Sequence, residues 1–102
     1  MESDKRYQDN ELTLDDLANE IGTSANNLSQ VINEKFSMNF YDFINEYRIE
    51  DFKQKAIDSK YKHYSIIALA LECGFNSKSA FYLVFKKRTG ISPGEYLKNY
   101  KN

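Results

Sequence analysis

The chain has 102 residues, of which 41% are hydrophobic, so it can form one small domain or two very small ones. With one His, one Cys, no His/Cys cluster at metal-ligand spacing and no glycine-rich phosphate loop, its composition argues against an enzyme or a metal site. The net charge is −1, but residues 1–59 carry six Lys and Arg against thirteen Asp and Glu, or −7, while residues 60–102 carry eight against two, or +6. This concentrated basic charge favours a nucleic-acid partner for the second half.

The content of one Pro and four Gly, with little alternation of Val or Thr, favours an all-helical fold. The longest apolar run, residues 66–71, is too short to span a bilayer, and the N-terminus does not resemble a signal peptide. We therefore expect a cytoplasmic chain without membrane contact. Cys73 lies on an apolar helical face, which predicts a reduced thiol in the core.

The first 38 residues predict a helical turn at residues 5–8, followed by two helices. Thr13 and Ser24 can each cap a helix through the hydroxyl, and Gly22 ends the first helix. The first helix presents Leu14, Leu17, Ala18 and Ile21 on one face. The second is expected to bury Leu28, Val31 and Ile32 and to expose Asn26, Ser29, Gln30 and Asn33.

Residues 39–59 contain no Gly or Pro and predict one long helix of about twenty residues, roughly 30 Å long. Its apolar stripe runs through Phe40, Phe43, Ile44, Tyr47 and Phe52, and Ile49 and Ala56 extend it imperfectly. This length approaches the ~34 Å of one DNA turn, which is the spacing at which two recognition helices meet successive major grooves on one side of the duplex.

The second half predicts a basic loop at residues 60–64, then two helices capped by Ser65 and Ser77, with Gly74 ending the first of them. The helix after Ser77 is expected to bury Phe81, Val84 and Phe85. Its opposite stripe reads Ser79, Tyr82, Leu83 and Lys86. Ser92 and Pro93 start a final helix that buries Tyr96 and Leu97.

The two halves repeat each other. When Gly22 is laid on Gly74, Leu17 matches Leu69 and Ala18 matches Ala70; one extra residue in the second turn then brings Ser24 onto Ser77. The repeat predicts two helix-turn-helix units, each a pair of short helices joined by a tight turn containing Gly.

The segments ALECGFNSKSAF, VFKKRTGISPGEYL and NFYDFINEYRIEDFK resemble the C-terminal DNA-binding domain of the AraC-type (AraC/XylS) transcription regulators. The resemblance covers residues 11–99. It implies an all-α fold in which residues 1–102 are one DNA-binding domain with two homeodomain-like helix-turn-helix subdomains. Residues 11–38 would form the first helix-turn-helix, 39–59 the linker helix, and 60–102 the second helix-turn-helix and the final helix.

The resemblance also implies sequence-specific binding of double-stranded DNA, with the second helix of each unit in adjacent major grooves. The residues expected to face bases are Asn26, Ser29, Gln30, Asn33, Lys78, Ser79, Tyr82, Leu83 and Lys86. Those expected at phosphates are Ser24, Asn39, Arg48, Ser77, Lys87 and Ser92, with Lys86 as a further candidate. No cofactor and no metal are implied.

Two departures from the family pattern bear on affinity. Members often carry Arg on the exposed stripe of the recognition helices, where this chain has Gln30 and Leu83. With the acidic first half, this predicts modest affinity and leaves one alternative, a helical protein-interaction module without autonomous DNA binding. Further expected partners are RNA polymerase and a sensor domain elsewhere in the full-length protein, which in similar proteins is often membrane-anchored.

Overall fold

The structure is a computed structural model that describes residues 5–101. Within this range it contains six α-helices, two short 3-10 turns and no strand, as the composition and the resemblance predicted. The helices are α1 (Leu14–Ile21), α2 (Ala25–Phe36), α3 (Phe40–Ala56), α4 (Ile66–Glu72), α5 (Lys78–Thr89) and α6 (Pro93–Lys101), and the 3-10 turns are Arg6–Gln8 and Ser59–Tyr61. No helix among these residues is long and apolar enough to cross a membrane.

Polar side chains fix the start of the helices. Thr13 Oγ1 accepts a hydrogen bond from the Asp16 amide at 3.1 Å, and the Asp16 carboxylate accepts one from the Thr13 amide at 3.2 Å. This reciprocal pair is a capping box, which satisfies two amides that the helix leaves unpaired. The caps predicted at Ser24, Ser65 and Ser77 are confirmed, and Asn39 and Ser92 cap the remaining helices; each of these side chains accepts a hydrogen bond from the amide three residues on.

α1, α2 and the first half of α3 enclose the first core, which includes Leu17, Leu28 and Ile32. Two residues expected in this core are exposed, Ile21 by 59% and Val31 by 46%. Ile21 is the last residue of α1, where the helix runs past the packed region. Val31 lies about 100° from Ile32 around α2, at the edge of the apolar face.

α3 is one uninterrupted helix of 17 residues, about 26 Å long. It ends at Ala56, three residues before the predicted end, because Asp58 caps the 3-10 turn that follows. Its apolar surface changes sides along the helix. Ile44 packs in the first core, whereas Ile49 and Phe52 pack in a second core and lie about 140° and about 80° from Ile44 around the helix axis. The stripe looked imperfect in the sequence because it consists of two stripes.

Aromatic rings fill the second core. Phe52, Phe81 and Phe85 are all 0% exposed. The ring centroid of Phe85 lies 5.6 Å from that of Phe52, 5.6 Å from that of Phe81 and 5.4 Å from that of Tyr96, so one side chain joins α3, α5 and α6. Cys73 is also fully buried, as predicted, and burial raises the pKa of its thiol to about 12, so the thiol is protonated at neutral pH.

The segment before α1 is fastened to α3. Tyr7 is 6% exposed and stacks on Tyr47, and its carbonyl accepts a hydrogen bond from Arg48 Nε at 2.6 Å. Gln8 donates to Asp51, which also accepts from Lys55. Burial alone would raise the pKa of Asp51, but these two hydrogen bonds and the positive charges of Lys55 and Lys5 together outweigh it and lower the pKa. The predicted turn at residues 5–8 is therefore part of the packed fold.

Candidate nucleic-acid interface

The first candidate surface is the outer face of α2. The sharp turn before it depends on Gly22, whose φ of 81° favours glycine. Ser24 then starts α2, and the helix exposes all four residues predicted to face bases, Asn26, Ser29, Gln30 and Asn33. Gln30 Nε2 donates to Glu34 Oε1 at 3.0 Å, which orients the amide along the helix surface. The result is an uncharged stripe of donors and acceptors.

The second candidate surface is the outer face of α5. This face exposes Lys78, Ser79, Leu83 and Lys86. Leu83, the apolar residue of the four, is 72% exposed. Tyr82 is half-buried beside Phe81, with Lys78 Nζ 5.6 Å from the centre of its ring. Lys78 and Tyr82 therefore form one cation–π pair at the start of the helix. This surface offers apolar contact next to positive charge, unlike the polar stripe of α2.

Three basic residues occupy the last turn of α5, where cations interact favourably with the helix dipole. Arg88 pairs with Glu46 on α3. Lys86 and Lys87 are exposed and, among the ion pairs of residues 5–101, take part in none. Lys86 and Lys87 can therefore reach an external anion, whereas Arg88 fastens α5 to α3.

The helix starts at Ser24, Asn39, Ser77 and Ser92 are capped and exposed or half-exposed. Each cap satisfies one amide and leaves the other amides of the first turn free to meet an anion. Their contact with phosphates stays a prediction.

Arg48, which was predicted to contact phosphate, instead contacts other parts of the protein. Its guanidinium donates to the carbonyls of Tyr7 and Asp9 and to Asn45 Oδ1, and it lies 5.9 Å from the centre of the Phe75 ring. Burial lowers the pKa of this side chain. The geometry favours an internal role, in which Arg48 holds the N-terminal segment between the two units.

Sequence reasoning did not identify the cleft between the units, which has a volume of about 200 Å³. Tyr41, 73% exposed in the first turn of α3, and Asn76, in the turn before α5, both line it. In the sequence, this part of the surface could have been recognised from the aromatic residue two positions after Asn39, at the start of the linker helix. Ala80 and Val84 of α5 also line the cleft, so Tyr41 and Asn76 adjoin the second candidate surface.

Comparison with known proteins places the whole arrangement in context. A family model described as a helix-turn-helix domain matches residues 17–99. An uncharacterized HTH-type transcriptional regulator of Staphylococcus aureus (strain COL) is 34% identical over 86 residues, 84% of this chain but 11% of the relative. The uncharacterized HTH-type transcriptional regulator YpdC of Escherichia coli (strain K12) is 33% identical over 85 residues, 83% of this chain and 29% of the relative. The chain thus spans less than a third of the length of these relatives.

Two solved structures share the arrangement of helices. A DNA-binding transcriptional dual regulator from Escherichia coli K-12 matches with a TM-score of 0.74 and 28% identity, over 87% of this chain and 77% of that one. The C-terminal domain of AraT, a response regulator from Geobacillus stearothermophilus, matches with a TM-score of 0.81 and 24% identity, over 93% and 76% of the two chains. The second likeness is one of fold.

Proposed function

Because this chain belongs to the AraC-type helix-turn-helix family of transcription regulators, we propose that it binds double-stranded DNA sequence-specifically through α2 and α5. The observation that carries the proposal is the pair of capped, outward-facing helices supported by one uninterrupted helix, α3. In helix-turn-helix proteins the second helix of each unit enters the major groove. We propose that α2 and α5 enter adjacent major grooves on one side of the duplex.

The two faces would contribute differently. α2 offers amides and a hydroxyl, which can pair with base edges but neutralise no phosphate. α5 offers Lys86 and Lys87 to phosphates, and Leu83 to thymine methyl groups. We therefore assign sequence selection mainly to α2 and affinity mainly to α5.

The remaining partners belong to the full-length protein. A sensor domain outside this chain and contact with RNA polymerase are consistent with regulators several times longer than the matched region. They remain proposals. The rival function, protein interaction without DNA binding, differs in one measurable respect, the dependence of duplex binding on salt.

Replacing both Lys86 and Lys87 by Ala is expected to weaken duplex binding for every sequence. Each lost phosphate contact flattens the plot of log affinity against log salt by roughly 0.9, so the slope should fall by up to about 1.8. Fluorescence anisotropy at several salt concentrations measures it. The matched control is the double change of Lys60 and Lys62 to Ala, which removes the same charge from the loop after α3 and should leave the slope nearly unchanged.

Equal slopes for the two double variants and the parent would move the phosphate contacts away from α5. If the parent chain showed no salt-dependent duplex binding even at low salt, the protein-interaction alternative would replace the DNA-binding proposal.

Replacing Gln30 by Ala is expected to change the preferred DNA sequence more than the overall affinity. A good bidentate pair between an amide and adenine discriminates between bases by about 1–3 kcal/mol. Selection of bound duplexes from a random pool should therefore lose its preference at one base pair. Asn19→Ala, at an exposed polar position on α1, is the control. An unchanged preferred sequence with Gln30→Ala would remove Gln30 from base recognition.

A further inference from the structure

A second surface feature involves neither α2 nor α5. A groove of about 520 Å³ runs between the end of α3, the loop after it, the start of α4 and α6. We call it the α6 groove; it is lined by Ala56, Ile57, Asp58, Ser59, Tyr61, Lys62, Tyr64, Ile66, Leu69, Gly94, Leu97 and Lys98. No lining residue belongs to α2 or α5. Occupation of the groove therefore leaves the outer faces of both helices uncovered.

The groove combines an apolar interior with exposed apolar side chains at its edge. Ile66, Leu69 and Leu97 are buried or half-buried members of the second core. Ile57 and Tyr64 are 51% and 45% exposed. Exposed apolar residues gathered beside a groove, with polar residues around them, mark interaction sites, whereas single exposed ones are ordinary.

Gly94 keeps one wall of the groove open. It lies in the first turn of α6, and a Cβ added there would meet nothing within 4 Å. The space above this helix turn is therefore free for side chains of a partner.

The charge at the edge of the groove is positive. Lys62 and Lys98 line it and are exposed, and Lys60 precedes Tyr61 in the adjoining 3-10 turn. These are three of the eight basic residues in the second half of the chain. The acidic residue of the lining, Asp58, accepts a hydrogen bond from the Lys60 amide at 2.9 Å as a cap.

We propose that the α6 groove docks an acidic amphipathic segment of a partner protein. Bulky apolar side chains of the segment occupy the space between Leu69, Leu97 and Gly94, and its carboxylates meet Lys62 and Lys98. An amphipathic helix in an apolar groove is an established mode of peptide recognition, in which residues at i, i+3 or i+4, and i+7 are the anchors. A DNA backbone would satisfy the lysines but would leave Ile57 and Tyr64 exposed, so the apolar residues favour a protein segment.

Selection from displayed short peptides tests the proposal on the whole chain. The library fixes Leu or Phe at the three anchor positions and draws the other positions equally from Glu, Gln and Lys. Peptides enriched on the chain are expected to be rich in Glu, and fluorescence anisotropy then measures their affinity for variants.

Gly94→Leu should fill the groove and weaken peptide binding by at least about tenfold, because the new side chain enters open space and Leu favours a helix over Gly. Reversing the charge of Lys62 and Lys98 together to Glu should have a similar effect. The matched control, reversal of Lys86 and Lys87 on α5, should leave peptide binding unchanged. Thermal melting of Gly94→Leu should be no lower than that of the parent, which shows that weaker peptide binding does not come from unfolding.

Three results would overturn the proposal. One is enrichment of neutral or Lys-rich peptides, and another is equal binding of the enriched peptides by the parent and Gly94→Leu. The third is self-association of the chain in light scattering that Gly94→Leu abolishes, which would make a second copy the occupant. Loss of duplex binding would instead concern the proposed function, so the two failures are distinguishable.

Discussion

Replacement of Phe85 by Ala is expected to lower the free energy of unfolding by about 3–5 kcal/mol, the usual cost of removing a buried aromatic ring. Phe85 is 0% exposed and its ring contacts those of Phe52, Phe81 and Tyr96. Because these neighbours come from three helices, the core cannot close around the cavity without moving a helix. Chemical denaturation measures the change.

Leu83→Ala is the control for Phe85, since it removes an apolar side chain from the same helix at a position that is 72% exposed. Its effect should stay within about 0.5 kcal/mol, as for most surface substitutions. A loss below about 1 kcal/mol for Phe85→Ala would show that the ring does not support the second core.

Gly74→Ala is expected to be the most damaging single change of a glycine in this chain. Gly74 has a φ of 111°, and a Cβ there would lie 2.2 Å from the Tyr7 carbonyl oxygen and 2.8 Å from Arg48 Nε. These are the two atoms whose hydrogen bond holds the N-terminal segment on α3. The methyl group must therefore displace that segment, which adds about 1–3 kcal/mol of overpacking to the strain of the backbone.

Gly90→Ala separates these two costs. Gly90 has a φ of 86°, but a Cβ there would meet nothing within 4 Å. The Gly90→Ala variant should therefore be destabilised only by backbone strain. The difference in free energy of unfolding between the two variants, measured by chemical denaturation, gives the cost of the clash with Tyr7 and Arg48. Equal losses for Gly74→Ala and Gly90→Ala would contradict the packing described at Gly74.

The helix starts could be predicted from the sequence because caps are local. A Ser, Thr or Asn accepts a hydrogen bond from an amide three residues away, so the interaction depends on the cap residue and the helix that follows. The predicted caps at Thr13, Ser24 and Ser77 are confirmed for this reason. The repeat of the two units was visible because it preserves spacing.

The role of Arg48 could not be predicted in the same way. Its hydrogen-bond partners at Tyr7 and Asp9 lie about forty positions earlier in the chain, and nothing in the local pattern brings them together. Arg48 was predicted to contact phosphate, whereas in the structure its guanidinium donates to the backbone of the N-terminal segment. Candidate base contacts such as Gln30 and Leu83 were predicted to be exposed and are, but their pairing with DNA stays a prediction.

The location of the positive charge could also be predicted only in part from the sequence. The sum of +6 in the second half indicated a basic surface, but a sum does not say which face carries it. The fold places Lys86 and Lys87 on α5, pairs Arg88 with Glu46, and directs Lys62 and Lys98 to the α6 groove. The sum of charges therefore does not say how much of the positive charge lies on the proposed DNA-binding face, and the attraction to DNA stays a prediction.

The change of sides along α3 has a consequence for how the molecule opens. Within the described part of the chain, α3 is the one helix that contributes to both cores, with Ile44 in the first and Ile49 and Phe52 in the second. Each core alone is small, and most of the stability of a helix in a protein comes from the packing of its apolar surface. Loss of either core therefore frays the shared helix and removes support from the other, which couples the two units into one cooperative transition. We therefore expect amides in the middle of α3 to exchange with solvent only when the whole domain unfolds, and amides at the end of α1 to exchange by local opening.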